Sequence, residues 1–189
     1  MLIILDRDGV INEYDGNYIC SVDEWQPIPA SIEAVARLCK AGHRIAIATN
    51  QSGIARGFYS TDVLGAMHDK LERLLEAQGG RIDFIAYCPH HPDDGCRCRK
   101  PLTGLLEQIR DHLHLDTLNG AMMVGDSRKD LEAGFAERCQ PVLVRTGNGK
   151  DTEHHLKTRP IPGASVAIYD NLGAFADAFL SGPGLVKNK

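Results

Sequence analysis

Residues 2–9 read L-I-I-L-D-R-D-G, with four apolar residues running directly into Asp6, Arg7, Asp8 and Gly9. A short apolar run of this length and type reads as a buried strand. In open α/β sheets, ligands bind beyond the carboxyl ends of the strands. The two aspartates are therefore placed where such a sheet does its chemistry.

The same grammar repeats outward from this stretch. Residues 44–49 (R-I-A-I-A-T) form a second strand that delivers Thr49, Asn50, Gln51, Ser52 and Gly53. Residues 82–87 give a third strand, followed by a polar loop over 88–101. Residues 121–124 give a fourth, which delivers Gly125, Asp126 and Ser127, with Asp130 four residues beyond Asp126. Residues 141–144 and 166–169 supply two more. Between them lie helical patterns. Residues 31–40 carry Ile32, Val35, Ala36 and Cys39 at helical spacing, closed by Gly42. Ser60 is placed to cap a long helix with Val63, Leu64, Met67, Leu71, Leu74 and Leu75 on one face. Residues 104–113, 127–138 and 171–180 are further helices.

Strand–helix alternation predicts an α/β fold, a doubly wound, mostly parallel sheet covered on both faces. The 189 residues suit a single domain, expected over 1–180 with a flexible tail at 181–189. Residues 147–163 are polar and rich in Gly, Lys, His and Pro, and are expected to form a long surface loop. A composition 43% hydrophobic and 24% charged is that of an ordinary globular protein. A net charge of −4 disfavours nucleic acid and anionic membranes as partners. No apolar stretch approaches the roughly 20 residues of a membrane span. The N-terminal apolar run is too short for a signal peptide, so a cytoplasmic monomer is expected.

Asp6, Asp8 and Asp126 would converge on one edge together with Thr49 and Lys100. Crowded carboxylates repel unless a cation sits among them. A hard, oxygen-bound cation that meets phosphate is typically Mg²⁺. A carboxylate can attack phosphorus and split one hard step into two. Lys100 and Thr49 would supply charge and hydrogen bonds to the phosphoryl oxygens. Asp8 would protonate the leaving oxygen and later deprotonate water. Each motif alone is common in turns and on surfaces; the whole ordered set is not.

The order Asp6-Arg7-Asp8-Gly9, Thr49-Asn50, Lys100 and Gly125-Asp126 resembles the four motifs of the haloacid dehalogenase superfamily of phosphatases. The resemblance implies a Rossmann-like domain with Asp6 as nucleophile and Asp8 as general acid/base. It also implies Thr49 and Lys100 as phosphate ligands, and Asp126 as Mg²⁺ ligand with Asp6 and the backbone carbonyl of Asp8. Residues 12–29 and 53–81 leave no room for a large cap domain.

Six cysteines are present, and three of them, Cys88, Cys96 and Cys98, fall within eleven residues. In a reducing compartment such crowding points to metal. Three thiolates and one imidazole fit a closed, structural zinc site. His90 and His91 compete for the imidazole place, and Asp93 and Asp94 offer alternative oxygens. A metal there would order a loop too polar to order itself, and Arg99 and Lys100 follow it directly.

This loop, with the run T-N-Q-S-G-I-A-R-G at 49–57, resembles the heptose 1,7-bisphosphate 7-phosphatase family and the related histidinol-phosphatase domain. The resemblance implies Zn²⁺ on Cys88, His90, Cys96 and Cys98. It implies that Asn50, Gln51, Ser52, Arg99 and Lys100 face a phosphorylated sugar, with residues 14–18 lining the sugar pocket. Removal of the C7 phosphate, leading towards the ADP-heptose of lipopolysaccharide, is the implied reaction. Histidinol-phosphate hydrolysis, or a non-catalytic zinc-stabilised binding protein, are the alternatives. The intact set Asp6, Asp8, Lys100 and Asp126 speaks against the last.

Overall fold

Six short strands stand side by side, the central four apolar and largely buried on both faces. In chain order the elements are β1 (Leu2–Leu5), α1 (Pro29–Lys40), β2 (Arg44–Asn50), α2 (Thr61–Glu76), β3 (Phe84–Cys88), α3 (Gly104–His112), β4 (Met122–Gly125), α4 (Arg128–Ala136), β5 (Gln140–Val144), α5 (Gly149–Thr158), β6 (Ala167–Tyr169) and α6 (Leu172–Ser181). The structure is a computed structural model and describes residues 1–182.

The sheet order is β3-β2-β1-β4-β5-β6, and every pairing is parallel. Alternate residues of each strand serve opposite faces. Ile3 and Leu5 join Ile45 and Ile47 under α1, α2 and α6, with Trp25 and Phe175 filling that layer. Leu2 and Ile4 join Ala46 and Ala48 on the other side, against Leu105, Leu106 and Ile109 of α3 and Ala133 of α4. The sheet is thus wound in both directions from β1. The crevice where the direction reverses lies between β1 and β4. The register sets Leu5 beside Val124, and the Asp6 N–H donates to the Val124 carbonyl at 2.9 Å. Asp6 and Asp126 therefore leave neighbouring strand ends together.

Local signals account for the boundaries. Pro29 begins α1, where its missing N–H costs nothing. The Ser60 side chain accepts from the Val63 N–H and caps α2. Asn171 does the same for α6 through Ala174. Residues 6–28 and 51–60 connect strands to helices with only isolated bridges, Asp8 to Asn12 and Asn12 to Pro27. Among the described residues no cap domain is inserted there.

One expectation needs correction. Residues 147–163 are not simply a loop, because they contain α5. That helix buries only Gly149 and Thr152, so it carries no apolar stripe to betray it. Ser181, expected in the tail, closes α6 instead; the expectation for 183–189 lies outside the described residues. No described helix is long and apolar enough to cross a membrane.

Candidate active site

The crevice at the strand ends opens into a cleft of about 420 Å3, lined by Asp6, Asp8, Thr49, Arg99, Lys100 and Asp126 among others. Lys100 is its hub. It is 2% exposed, and its Nζ lies 3.0 Å from Asp6 Oδ1 and 2.6 Å from Asp130 Oδ1, and donates to the Ala48 carbonyl at 2.5 Å. Burial works against its charge, but Asp130 and Asp6 together outweigh burial, so its pKa is raised and the ammonium persists.

The carboxylates pay the opposite penalty. Burial first, then Asp130, pushes Asp6 well above the usual carboxylate range, and Lys100 only partly offsets this. Burial and Asp130 push Asp126 up to about 7, against two donors from Asn148. Asp6, Asp126 and Asp130 each offer an oxygen within 4.8 Å of the others. One ammonium cannot neutralise that many buried carboxylates, so the donor set fits a hard divalent cation. The approach of backbone is equally close. Gly9 (φ 82°) and Gly147 (φ 54°) both pass so near Asp126 that a Cβ on either would overlap its Oδ2.

Asp126 is oriented from the loop before α5. The backbone N–H of Asn148 and its Nδ2 both donate to Asp126 Oδ2, at 2.8 and 3.1 Å. Thr152 Oγ1 donates to the Asp126 carbonyl at 2.8 Å. Asp130 is held likewise: the Ser127 N–H and hydroxyl both donate to its Oδ2, at 3.0 and 2.6 Å.

Asp8 occupies a different niche. Arg7, 1% exposed, donates through Nε to Asp8 Oδ1 and through Nη2 to Oδ2, at 3.0 and 3.1 Å. Asn12 adds a donor to Oδ1 and Gln51 one to Oδ2, at 3.0 and 2.9 Å. The Asp8 carboxylate is not a member of the acidic cluster.

The expected substrate residues divide into two kinds. Ser52 and Arg99 face the cleft, with Ser52 Oγ 3.2 Å from the Tyr18 hydroxyl. Arg99 Nη1 is buried without a hydrogen-bond partner among the described residues. Asn50 and Gln51 also line the cleft, but their amides are engaged within the protein. Asn50 accepts from the Lys100 N–H at 3.0 Å and donates to the Lys100 carbonyl at 3.1 Å. It ties the end of the cysteine loop to β2. Gln51 bridges Asp8 and Thr49. Tyr14, Gly16, Asn17 and Tyr18 line the outer cleft. Tyr18 stacks edge-on with Phe58, and Arg56 lies 5.9 Å over the Tyr18 ring.

The cysteine loop brings Cys88, His90, Cys96 and Cys98 within 4.8 Å of one another. Cys88 Sγ lies 3.6 Å from Cys96 Sγ, 3.2 Å from Cys98 Sγ and 3.6 Å from His90 Nδ1. A tetrahedron around a zinc-length metal–sulfur bond has edges of about 3.8 Å, so the donors already stand near coordination spacing. Burial and the adjacent thiols push Cys98 up to about 12, so three thiolates need a cation to coexist. The cluster could hold a metal ion. His91 stands outside it, its Nδ1 accepting from the Asp93 N–H at 3.3 Å.

Asp130, Asn148 and Arg7 were not foreseen as site residues. Asp130 had a signal in its spacing from Asp126, one helical turn on. Asn148 had none, since it lies in the stretch read as loop.

Known proteins share much of this chain's sequence and fold. A family model described as HAD-hydrolase-like matches residues 97–173. The D-glycero-beta-D-manno-heptose-1,7-bisphosphate 7-phosphatase of Pseudomonas aeruginosa is 55% identical over 179 residues, 95% of this chain and 97% of that one. Its counterpart in Pseudomonas putida is 50% identical, covering 93% and 97%. The crystal structure of D,D-heptose 1,7-bisphosphate phosphatase from B. bronchiseptica, complexed with magnesium and phosphate, superposes with a TM-score of 0.88. It is 46% identical, with 95% of this chain and 97% of that one covered. Similarity of this depth, over nearly the whole of both partners, goes well beyond a shared fold. The chain belongs to the D-glycero-beta-D-manno-heptose-1,7-bisphosphate 7-phosphatase family of haloacid-dehalogenase-like hydrolases.

Proposed function

We propose that this chain removes the C7 phosphate of D-glycero-beta-D-manno-heptose 1,7-bisphosphate by way of an aspartyl phosphate on Asp6. The observation that carries the reading is Lys100 Nζ buried between Asp6 and Asp130 at the sheet's switch point. The relatives' names supply the substrate and its anomer.

An Asp6 carboxylate oxygen attacks phosphorus while the bond to the sugar oxygen breaks, and Asp8 gives that oxygen its proton. Water then attacks the phosphorus of the acyl phosphate, Asp8 takes the proton, and inorganic phosphate and free Asp6 result. Lys100 and Thr49 hold the phosphoryl oxygens throughout. Asp6, Asp126 and the Asp8 carbonyl would hold Mg²⁺, which supplies charge to the phosphoryl oxygens and lets the buried carboxylates stay ionised. Cys88, His90, Cys96 and Cys98 would hold Zn²⁺, which orders the loop that ends in Arg99 and Lys100.

The choice of phosphate follows from shape and charge. An exocyclic phosphate on a flexible carbon reaches the bottom of the cleft, whereas a ring phosphate would drag the sugar in with it. Arg99, which lines the cleft and whose Nη1 has no hydrogen-bond partner among the described residues, would receive the phosphate that stays.

A phosphate-release screen tests the reading. The heptose bisphosphate should be the best substrate by kcat/KM, ahead of histidinol phosphate and simple sugar phosphates. Faster turnover of histidinol phosphate would transfer the assignment to that alternative.

A further inference from the structure

Gln51 is 2% exposed, and its amide stands between two residues of the chemistry. Its Nε2 donates to Asp8 Oδ2 at 2.9 Å and to Thr49 Oγ1 at 2.8 Å. Its Oε1 accepts from the Tyr59 hydroxyl at 2.6 Å. We propose that Tyr59 is a positioning residue for the phosphatase reaction, its hydroxyl locking the Gln51 amide in the one orientation that holds Asp8 and Thr49. The inference rests on the reading of Asp8 as the general acid/base.

The amide orientation is dictated by charge. Reversed, it would set a carbonyl oxygen against the Asp8 carboxylate at hydrogen-bond distance, which is repulsive. Nε2 must therefore face Asp8, Oε1 must face Tyr59, and the phenol must donate. Burial pushes the Tyr59 hydroxyl up to about 12, so it keeps its proton through the physiological range. Both side chains are buried, with Tyr59 9% exposed, so water cannot easily replace the donor.

The fold makes room for this contact. A Cβ at Gly53 would overlap the Tyr59 ring, so the glycine of the T-N-Q-S-G run is the clearance through which the ring reaches Gln51. Without the hydroxyl, Oε1 is left buried and unpaired, and the amide is free to turn. Asp8 then keeps the two-point contact with Arg7 and the donor from Asn12 but loses one of the two donors on Oδ2, the one that ties it to β2.

Tyr59→Phe tests the hydroxyl alone, because the ring still packs on Gly53. Single-turnover formation of the phosphoenzyme separates positioning from bulk stability. A primary alkyl phosphate needs its leaving oxygen protonated; p-nitrophenyl phosphate does not. Tyr59→Phe should slow the alkyl ester about three- to tenfold, the span of a neutral hydrogen bond, and the nitrophenyl ester less than about twofold. In a Gln51→Leu background, Tyr59→Phe should add nothing, because the link it acts through is gone. Unchanged rates on the alkyl ester, equal losses on both esters, or additive losses in the double variant would overturn the role. Asp8→Asn run alongside separates the two levels: if Asp8→Asn leaves the alkyl ester at full rate, the acid/base reading fails. If Asp8→Asn is crippled while Tyr59→Phe is wild-type, only the Tyr59 role fails.

Discussion

His68 lies on α2 behind the acid/base, its Nε2 3.3 Å from Arg7 Nη1. That guanidinium is permanently charged, so the imidazole can meet it only as a neutral acceptor. Burial first, then the Arg7 charge, lowers the His68 pKa from 6.5 to about 4, with Asp8 offsetting a little. The folded pKa is thus below the unfolded one. As pH falls through about 6.5 the unfolded chain takes up the proton first, so stability is lost between about pH 6.5 and pH 4 and is intact above that window. Across the whole window the shift corresponds to about 3 kcal/mol, of which about 2 kcal/mol is lost by pH 5. His68→Gln removes the titration while its amide oxygen still accepts from Arg7. The assay is urea unfolding at pH 7 and pH 5, followed by the fluorescence of Trp25, the only tryptophan and a buried one. Wild type should lose about 2 kcal/mol more than the variant between the two pH values. Acid losses that agree to within about 0.5 kcal/mol would refute the reasoning.

Asp6→Asn should lower turnover by on the order of 10⁴ or more while the protein stays folded, because an amide is nearly isosteric but a poor nucleophile; retention of about a tenth of the activity would count against the aspartyl phosphate. Elemental analysis of protein purified without chelator should find one zinc per chain, and Cys98→Ser should lower both zinc content and activity. Zinc-free protein with full activity would contradict the role of the cysteine loop. Arg99→Ala should reduce kcat/KM for the bisphosphate about 10- to 100-fold, as expected for a lost charge-assisted hydrogen bond, and leave a small monophosphate ester little changed. Equal losses on both substrates would mean that Arg99 does not read the second phosphate.

The fold was legible because burial on both faces leaves a simple signature. Every strand appears in the sequence as a short apolar run, and β1 was placed at its observed limits, Leu2–Leu5. Helices with an apolar stripe, such as α2 with Leu64, Met67, Leu71 and Leu75 buried, could be read by spacing. α5 could not, since it presents almost nothing to the core. Its work is done at its N-terminal approach, where Gly147 and Asn148 cradle Asp126, and backbone proximity leaves no periodic trace. Likewise Asp6, Asp8, Lys100 and Asp126 were expected to converge because each follows a strand or stands in a motif, and all four line one cleft. Asn50 and Gln51 were expected to face substrate; both line the cleft, and their amides are also bonded to Lys100, Asp8 and Thr49, which spacing did not indicate. Which way a short polar side chain turns depends on neighbours distant in sequence, such as Tyr59, and spacing carries no information about that.

The identity of the departing phosphate tests the central claim most directly. Phosphorus NMR of the heptose 1,7-bisphosphate reaction, followed to completion with Mg²⁺, reports it without labels or coupling enzymes. The signal of the C7 phosphate should disappear into inorganic phosphate while that at C1 persists, leaving heptose 1-phosphate. Accumulation of heptose 7-phosphate, or loss of both signals at comparable rates, would contradict the account.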